Sequence, residues 1–198
     1  MIYDIIYKID GICLYSSVSC RLARKVKFYG EWLMKMIWSV IYLVLVAILG
    51  HYIGELLPRK WFDYESFPYA PFGWEKDGAV YDKIKIKKWK SKVPDFSRIA
   101  KYMVPKKVTS GMTSADVDVL LRETCVAEFV HVAVCVVAVG VCFISERTWG
   151  VVLWLVFSLG NVPFILIQRY NRPHLNRLRE KMLIREERLN HASSDIVM

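Results

Sequence analysis

The sequence predicts an all-α integral membrane protein with three transmembrane helices, interfacial amphipathic helices and a large basic cytoplasmic segment. Three apolar runs carry that prediction. Residues 126–145 and 149–168 are nearly uncharged, and residues 36–53 hold only His51 as an ionisable group. Each run has about the 20 apolar residues needed to cross a hydrocarbon core of roughly 30 Å. The chain is 55% hydrophobic yet 24% charged, with mean hydropathy +0.27, so its charges are concentrated between the runs. A soluble bundle would need polar amphipathic sequence to wrap such helices, and little remains to do so. Its 198 residues suit a single membrane domain.

The elements follow in order. In residues 1–35, Ile2, Ile5, Ile6, Ile9 and Ile12 recur at helical spacing with Asp4, Lys8 and Asp10 between them, as in an interfacial amphipathic helix. Arg21, Arg24, Lys25 and Lys27 follow. The first span, 36–53, lacks a small-residue cleavage site at its end and is expected to stay as an anchor. Residues 54–125 form the interfacial cytoplasmic segment. Its first part, LPRKWFDYESFPYAPFGWEKDG, is rich in aromatics, Pro and Gly, and residues 62–74 are a candidate re-entrant loop if protein covers their backbone. The second part, VYDKIKIKKWKSKVPDFSRIAKYMVPKK, mixes lysines with Trp, Tyr and Ile, a composition suited to phospholipid headgroups. KIKIKKW fits a brief alternating strand, although a lone strand has nothing to pair with. TSADVDVLLRET starts a helix: Thr113 or Ser114 can cap it, and Asp116 falls in its first turn. A tight turn at 146–148 joins the second span (126–145) to the third (149–168), and a basic tail, 169–198, ends the chain.

Fourteen Lys and Arg between Arg59 and Arg122, and seven between Arg169 and Arg188, place the middle segment and the tail in the cytoplasm of a multi-pass cell-membrane protein. Lys8, Arg21, Arg24, Lys25, Lys27 and Lys35 would then be external, which leaves the N-terminal side open. The net charge of +9 is explained by membrane flanks, and no nucleic-acid motif accompanies it. Cys13, Cys20, Cys125, Cys135 and Cys142 have no metal-ligand spacing and are expected to be small buried hydrophobes, without disulfide or zinc.

The stretch RETCVAEFVH carries polar groups into the second span. Arg122 and Glu123 suit the membrane boundary. Glu128 and His131 lie three residues apart and share a helical face, with Thr124 one turn below. In the third span Asn161, Gln168 and Arg172 are spaced by seven and four, one face again, and Pro163 is expected to kink the helix beside Asn161. Because the two spans are antiparallel, Glu128, His131, Gln168, Arg169, Asn171 and Arg172 should gather just inside the cytoplasmic surface. A charge at the bilayer midplane costs about 2.5–3.5 kcal/mol on insertion scales. Glu128 paired with an arginine would therefore serve to hold two helices together. His131 sits deeper and has no boundary role. As a general base it needs one ring nitrogen free and its other proton held by an acceptor, for which Glu128 is a candidate. A single Glu-x-x-His pair without a second copy does not make a metal site.

Residues 123–131, ET-x-x-A-E-x-x-H, and residues 161–173, N-V-P-x-x-x-x-Q-R-Y-N-R-P, resemble the glycosyl-4,4'-diaponeurosporenoate acyltransferases, small membrane enzymes of staphyloxanthin-type carotenoid biosynthesis. FGWEKDGAVYDK (72–83) and KKWKSKVPD (87–95) are similar as well. The likeness covers roughly residues 36–180, and the first thirty or so depart from it. It implies transfer of a fatty acyl group to a sugar hydroxyl of a carotenoid glycoside, with the acceptor of this chain left open. Transfer from a thioester to an alcohol needs a base, oxyanion stabilisation and room for two apolar chains. His131 is the candidate base, with Glu128, Arg172 and Asn171 beside it. Asn161, Gln168, Arg169, Trp74, Glu75, Lys87, Trp89 and Lys90 are candidate substrate-binding residues. Lys85, Lys87, Lys88, Lys90 and Lys92 suit an anionic donor such as acyl-CoA, a co-substrate rather than a permanently bound cofactor. Membrane lipids and a lipid or glycolipid acceptor are the expected partners. Cys125 is not expected to be a nucleophile. Another membrane transferase, such as a methyltransferase, and a non-catalytic lipid-binding protein are the alternatives.

Overall fold

A computed structural model describes residues 17–90 and 112–197. The amphipathic pattern Ile2–Ile12, Cys13 and the part of the basic stretch that contains Lys92 lie outside the described residues. Helix α1 (Ser17–Leu56) is followed by two 3-10 turns (Arg59–Trp61 and Gly73–Gly78) and two short helices, α2 (Ala79–Lys83) and α3 (Ile86–Trp89). Then come α4 (Ser114–Val137), a 3-10 turn (Ala138–Gly140), α5 (Val141–Ile144) and α6 (Arg147–Val197). There is no strand among the described residues. KIKIKKW, which fits an alternating strand, turns instead at Lys85 (φ 53°) and winds into α3. With no partner strand, its backbone is satisfied locally: Lys85 N–H donates to Asp82 O (3.0 Å) and Lys88 N–H to Lys85 O (2.9 Å).

Helices α1, α4 and α6 are long and apolar enough to cross a membrane. Their outward side chains are apolar: Val44, Leu45, Ile48 and Leu49 on α1, Val132 and Val136 on α4, Leu155, Val156 and Leu159 on α6 are all exposed. Such a surface is matched by lipid tails, while the helical backbone satisfies its own polar groups. The chain is a multi-pass membrane protein. Two ion pairs bracket the apolar zone, Lys35–Glu146 (3.9 Å) at one end and Arg59–Glu123 (2.6 Å) at the other. The α1 residues between them span about 30 Å, the depth of a hydrocarbon core.

The helices overrun the apolar runs. α6 has 51 residues and stays helical through Pro163 and Pro173. Its polar half packs beside the first turns of α4. Ser114 N–H and Oγ donate to Glu186 (2.9 and 2.6 Å), and Asp118 meets Arg122 at 2.9 Å and Arg179 at 3.5 Å. Of the two candidate caps, Thr113 is the one used. Its Oγ1 accepts from Asp116 N–H (3.3 Å) while its own N–H donates to Asp116 Oδ2 (2.8 Å).

Helix α4 lies between α1 and α6 and packs most extensively on α6. Toward α1 the seam is narrow, built on Ser39, Leu43, Val46, Gly50 and Gly54. A Cβ at Gly50 would overlap Val134 Cγ1, and one at Gly54 would stand 2.9 Å from Val130 Cγ2. Small residues four apart let two backbones approach closely in lipid. Gly50→Leu should therefore destabilise the bundle by about 1–3 kcal/mol, seen as a lower melting temperature of the detergent-solubilised protein. At the far end Leu43, Ala138 and Val141 form a buried cluster with Tyr42, Leu153 and Trp154 around it. Tyr42 OH donates to Val137 O (2.7 Å) and Trp154 Nε1–H to Cys135 O (2.9 Å), holding carbonyls where α4 tightens into its 3-10 turn.

Candidate active site

Arg169 and Arg172 lie three residues apart, so both point from α6 toward α4, and Glu128 answers them with one oxygen each. Arg169 Nε–H donates to Glu128 Oε1 (2.9 Å) and Arg172 Nη2–H to Oε2 (2.6 Å). Arg169 also donates to Glu75 Oε1 (2.8 Å) and Pro68 O (2.6 Å), and Arg172 to Thr124 Oγ1 (3.0 Å) and Tyr69 O (2.6 Å). Glu75 is completed by Tyr81 OH (2.6 Å) and Phe72 N–H (3.0 Å). Arg169 lies over the Phe72 ring (4.3 Å) and Arg172 near the Tyr69 ring (5.6 Å). The four ionised side chains are 3–8% exposed and sum to zero charge. That is the condition under which buried charges persist.

This clamp also explains the loop after α1. Residues 62–72 form no long helix or strand, so their carbonyls need partners, and the two arginines supply them to Pro68 and Tyr69. Phe62 and Tyr64 pack on Leu121, Cys125 and Val126 of α4, and Phe62 meets the Phe129 ring edge-on at 5.7 Å. Farther along, Tyr81 and Ile86 pack with Tyr170 of α6. Burial, with help from the Glu75 hydrogen bond, pushes the Tyr81 hydroxyl well above the usual phenol range, so it stays a donor.

His131 lies deeper, eight residues past Glu123, or about 12 Å along α4. Its acceptor is Asn161, not Glu128: Nδ1 is 2.8 Å from Asn161 Oδ1. The reason is geometric and electrostatic. Both Glu128 oxygens are drawn to guanidinium groups, and Asn161 reaches the His131 ring from the facing helix. Asn161 Nδ2–H donates to Phe157 O (2.9 Å), so its Oδ1 faces the imidazole as acceptor and Nδ1 carries the proton. In that neutral tautomer the lone pair is on Nε2. Phe164 stacks on the ring at 4.8 Å between centroids and 14° between planes, fixing its orientation.

Above His131, between α4, α6 and the end of α3, opens a cleft of about 330 Å³. Its polar lining is Lys90, Glu123, Thr124, Gln168, Asn171 and His174. Lys90 donates to Asn171 Oδ1 (3.1 Å) and lies over the Tyr170 ring (4.7 Å). Burial first, then the neighbouring Lys87 charge, lowers its ammonium below the usual lysine range. Gln168 makes no hydrogen bond among the described residues. Thr124 and Gln168 continue toward His131 along both helices: Thr124 is two turns above it, and Gln168 is one turn above Phe164.

The residues expected at the site thus divide. Glu128, Arg169, Arg172 and Glu75 form the clamp. His131 and Asn161 form a separate pair, and Gln168, Asn171 and Lys90 line the cleft. Trp74 and Lys87 are on the surface, with Trp74 stacked on Phe72 (6.2 Å). Trp89 is half-buried, and its Nε1–H donates to Ile84 O (3.1 Å). Glu123 is taken by Arg59. Among the described residues no group of three or more His, Cys, Asp or Glu comes together as a metal site. Phe164 and the carbonyls of Pro68 and Tyr69 were not among the sequence candidates. The stacking partner lay three residues past Asn161 on the same face, whereas nothing in the sequence marks a carbonyl.

Fold and site together define a small multi-pass membrane protein with a charge-neutral clamp and a polar cleft between its last two spans. The chain belongs to the glycosyl-4,4'-diaponeurosporenoate acyltransferase family, whose sequence model matches residues 58–181. That range holds the clamp, His131, Asn161 and the whole cleft. Among its relatives are proteins named glycosyl-4,4'-diaponeurosporenoate acyltransferase from Staphylococcus aureus. The one from strain bovine RF122 / ET3-1 is 26% identical over 154 residues, covering 77% of this chain and 90% of the relative. The one from strain MRSA252 is 24% identical over 163 residues, covering 82% and 98%. No solved structure matches. Membership places the chain among membrane acyltransferases, which act with an acyl-donor co-substrate.

Proposed function

We propose that this protein transfers a fatty acyl group from a thioester donor, such as acyl-CoA, to a hydroxyl of a lipid-anchored acceptor, with His131 as general base. The observation that carries this is the His131–Asn161 pair, an imidazole held in one tautomer on the seam between α4 and α6. The reaction balances on this chain's own groups. His131 Nε2 takes the acceptor's hydroxyl proton as the oxygen bonds to the thioester carbonyl carbon. The tetrahedral intermediate collapses, the carbon–sulfur bond breaks, and the thiolate leaves with the proton from His131. Transfer is direct, without an acyl-enzyme. Cys125 is buried, and burial does not favour its thiolate.

Arg169 and Arg172 act as positioning residues in this scheme. Each uses three of its nitrogens on protein acceptors, so they hold α4, α6 and the aromatic loop in register rather than grip an oxyanion. Gln168, whose side chain makes no hydrogen bond among the described residues, and the amide N–H groups of Asn171, whose Oδ1 accepts from Lys90, face the cleft as polar groups for substrate. The exposed Lys83, Lys85, Lys87 and Lys88 draw an anionic donor to the cytoplasmic face, where the positive-inside rule puts the middle segment and the tail. Relatives that carry a glycosyl carotenoid acyltransferase name support a glycolipid as acceptor. The test is mass spectrometry of lipids from vesicles holding the purified protein, a long-chain acyl-CoA and a glycolipid extract. A product heavier than its acceptor by one fatty acid less water is expected. An unchanged lipid profile would overturn the proposal.

A further inference from the structure

The chain leaves the apolar zone at Arg59 and then turns back. Arg59 Nη1–H donates to Glu55 O and Leu57 O (2.7 Å each) at the end of α1, and its Nε–H pairs with Glu123, which marks the edge of that zone. Three residues later the Phe62 ring meets Phe129, which lies six residues, or about 9 Å, past Glu123 along α4. The loop beyond Phe62 stays near that level. Its Pro68 and Tyr69 carbonyls accept from Arg169 and Arg172, whose shared partner, Glu128, is about 7.5 Å past Glu123. Yet Phe67 is 84% exposed and Trp74 59%, and the Phe67, Phe72 and Trp74 rings follow one another at 6.3 and 6.2 Å between centroids. In water such a row would be an apolar patch without a partner. At this depth it continues the lipid-facing surface of the three spans.

We propose that residues 62–74 insert into the lipid leaflet on the Arg59–Glu123 side, with Phe67 and Trp74 against phospholipid acyl chains. Irregular backbone is tolerated at such depth only where protein meets its polar groups. Pro68 O and Tyr69 O have the two arginines, and Phe62 O accepts from Arg122 Nη1–H (3.1 Å). Pro68 and Pro71 bring no N–H, while Tyr69 and Ala70 N–H donate to Ser66 O (2.9 Å each) and Phe72 N–H to Glu75 Oε2 (3.0 Å). The exposed carboxylates of the loop fit the same placement. Asp63 and Glu65 flank Tyr64, whose OH donates to Asp118 (2.7 Å), five residues to the water side of Glu123. That edge of the loop lies among headgroups, and tryptophan suits the boundary between headgroups and chains. The loop thus takes the place of lipid beside α4 and α6, whatever reaction the seam performs.

The experiment puts the photoreactive residue p-benzoylphenylalanine in place of Phe67, Leu49 or Lys88 in the full chain. Each protein is reconstituted in vesicles of phosphatidylcholine and phosphatidylglycerol and irradiated. Leu49 faces lipid from α1, and Lys88 is exposed on α3, so they are the acyl-chain and headgroup references. The Phe67 side chain is exposed, so the larger ring is accommodated without repacking. Peptides are weighed by mass spectrometry after alkaline hydrolysis of the lipid esters. A crosslink to an acyl chain then leaves a fatty acid on the peptide, and a crosslink to the headgroup leaves the glycerophosphate part. Position 67 is expected to behave like position 49 and gain the mass of one fatty acid, with little or none at position 88. With position 49 labelled, a position 67 that has no adduct, carries only the headgroup part, or is no richer in fatty acid than position 88 would overturn the insertion.

Discussion

Glu128→Ala lowers the stability of the folded protein by about 3–5 kcal/mol, the cost of removing one partner from a buried ion pair. Arg172 then loses its carboxylate and keeps only neutral acceptors, Thr124 Oγ1 and Tyr69 O. Arg169 retains Glu75, so the unmatched charge falls mainly on Arg172, which is 3% exposed. The loop carbonyls that depend on the arginines loosen with them, so the damage spreads from α4 to residues 68–72. Glu128→Gln keeps the shape and one acceptor oxygen but leaves the same excess charge, and should fall between alanine and wild type. Lys35→Ala is the contrast. It breaks a half-exposed pair of 3.9 Å and should shift stability by no more than about 0.5 kcal/mol. Melting curves of the three solubilised variants check the ranking. A Glu128→Ala protein that melts with the wild type would contradict the clamp.

His131→Ala should lower acyl transfer by about 10²–10⁴-fold, the usual contribution of a positioned general base, while the protein still folds. The substitution removes the Asn161 hydrogen bond and the Phe164 stacking contact, which are neutral contacts, whereas the clamp loses a charged partner. Asn161→Leu keeps the ring but removes the acceptor that holds the proton on Nδ1, so both tautomers compete and turnover falls by less than in His131→Ala. Initial rates in vesicles, read beside melting temperatures, separate the two effects. Equal turnover in folded His131→Ala and wild type would remove the histidine from the mechanism.

The three spans were legible because a bilayer demands long uncharged runs, and residues 36–53, 126–145 and 149–168 supply them. Their continuation was less so. Periodicity told where apolar sequence stops, but α6 runs on because its polar half finds Ser114 and Asp118 on α4, a tertiary contact. The cap at Thr113 was written locally, in the Thr-x-x-Asp spacing. Facing positions on antiparallel helices set Glu128 opposite Arg169 and Arg172, and His131 opposite Asn161, but spacing did not decide who pairs with whom. Glu128 and His131 share a face, yet the charge of two arginines outbids a neutral imidazole for the carboxylate, and Asn161 takes the histidine. Glu75 was singled out by family likeness as a substrate contact. Its burial against Arg169 and Tyr81 depends on a loop fold that has no periodic signature.

On our proposal, acyl transfer takes place on the seam between α4 and α6 beside His131. Photo-crosslinking tests it most directly, using an acyl-CoA with a diazirine on the chain close to the thioester and the wild-type protein in vesicles. Labelled peptides from residues 124–131 and 161–171, reduced by excess unlabelled donor, are expected. Labelling confined to α1, or to the surface lysines of residues 83–88, would contradict it.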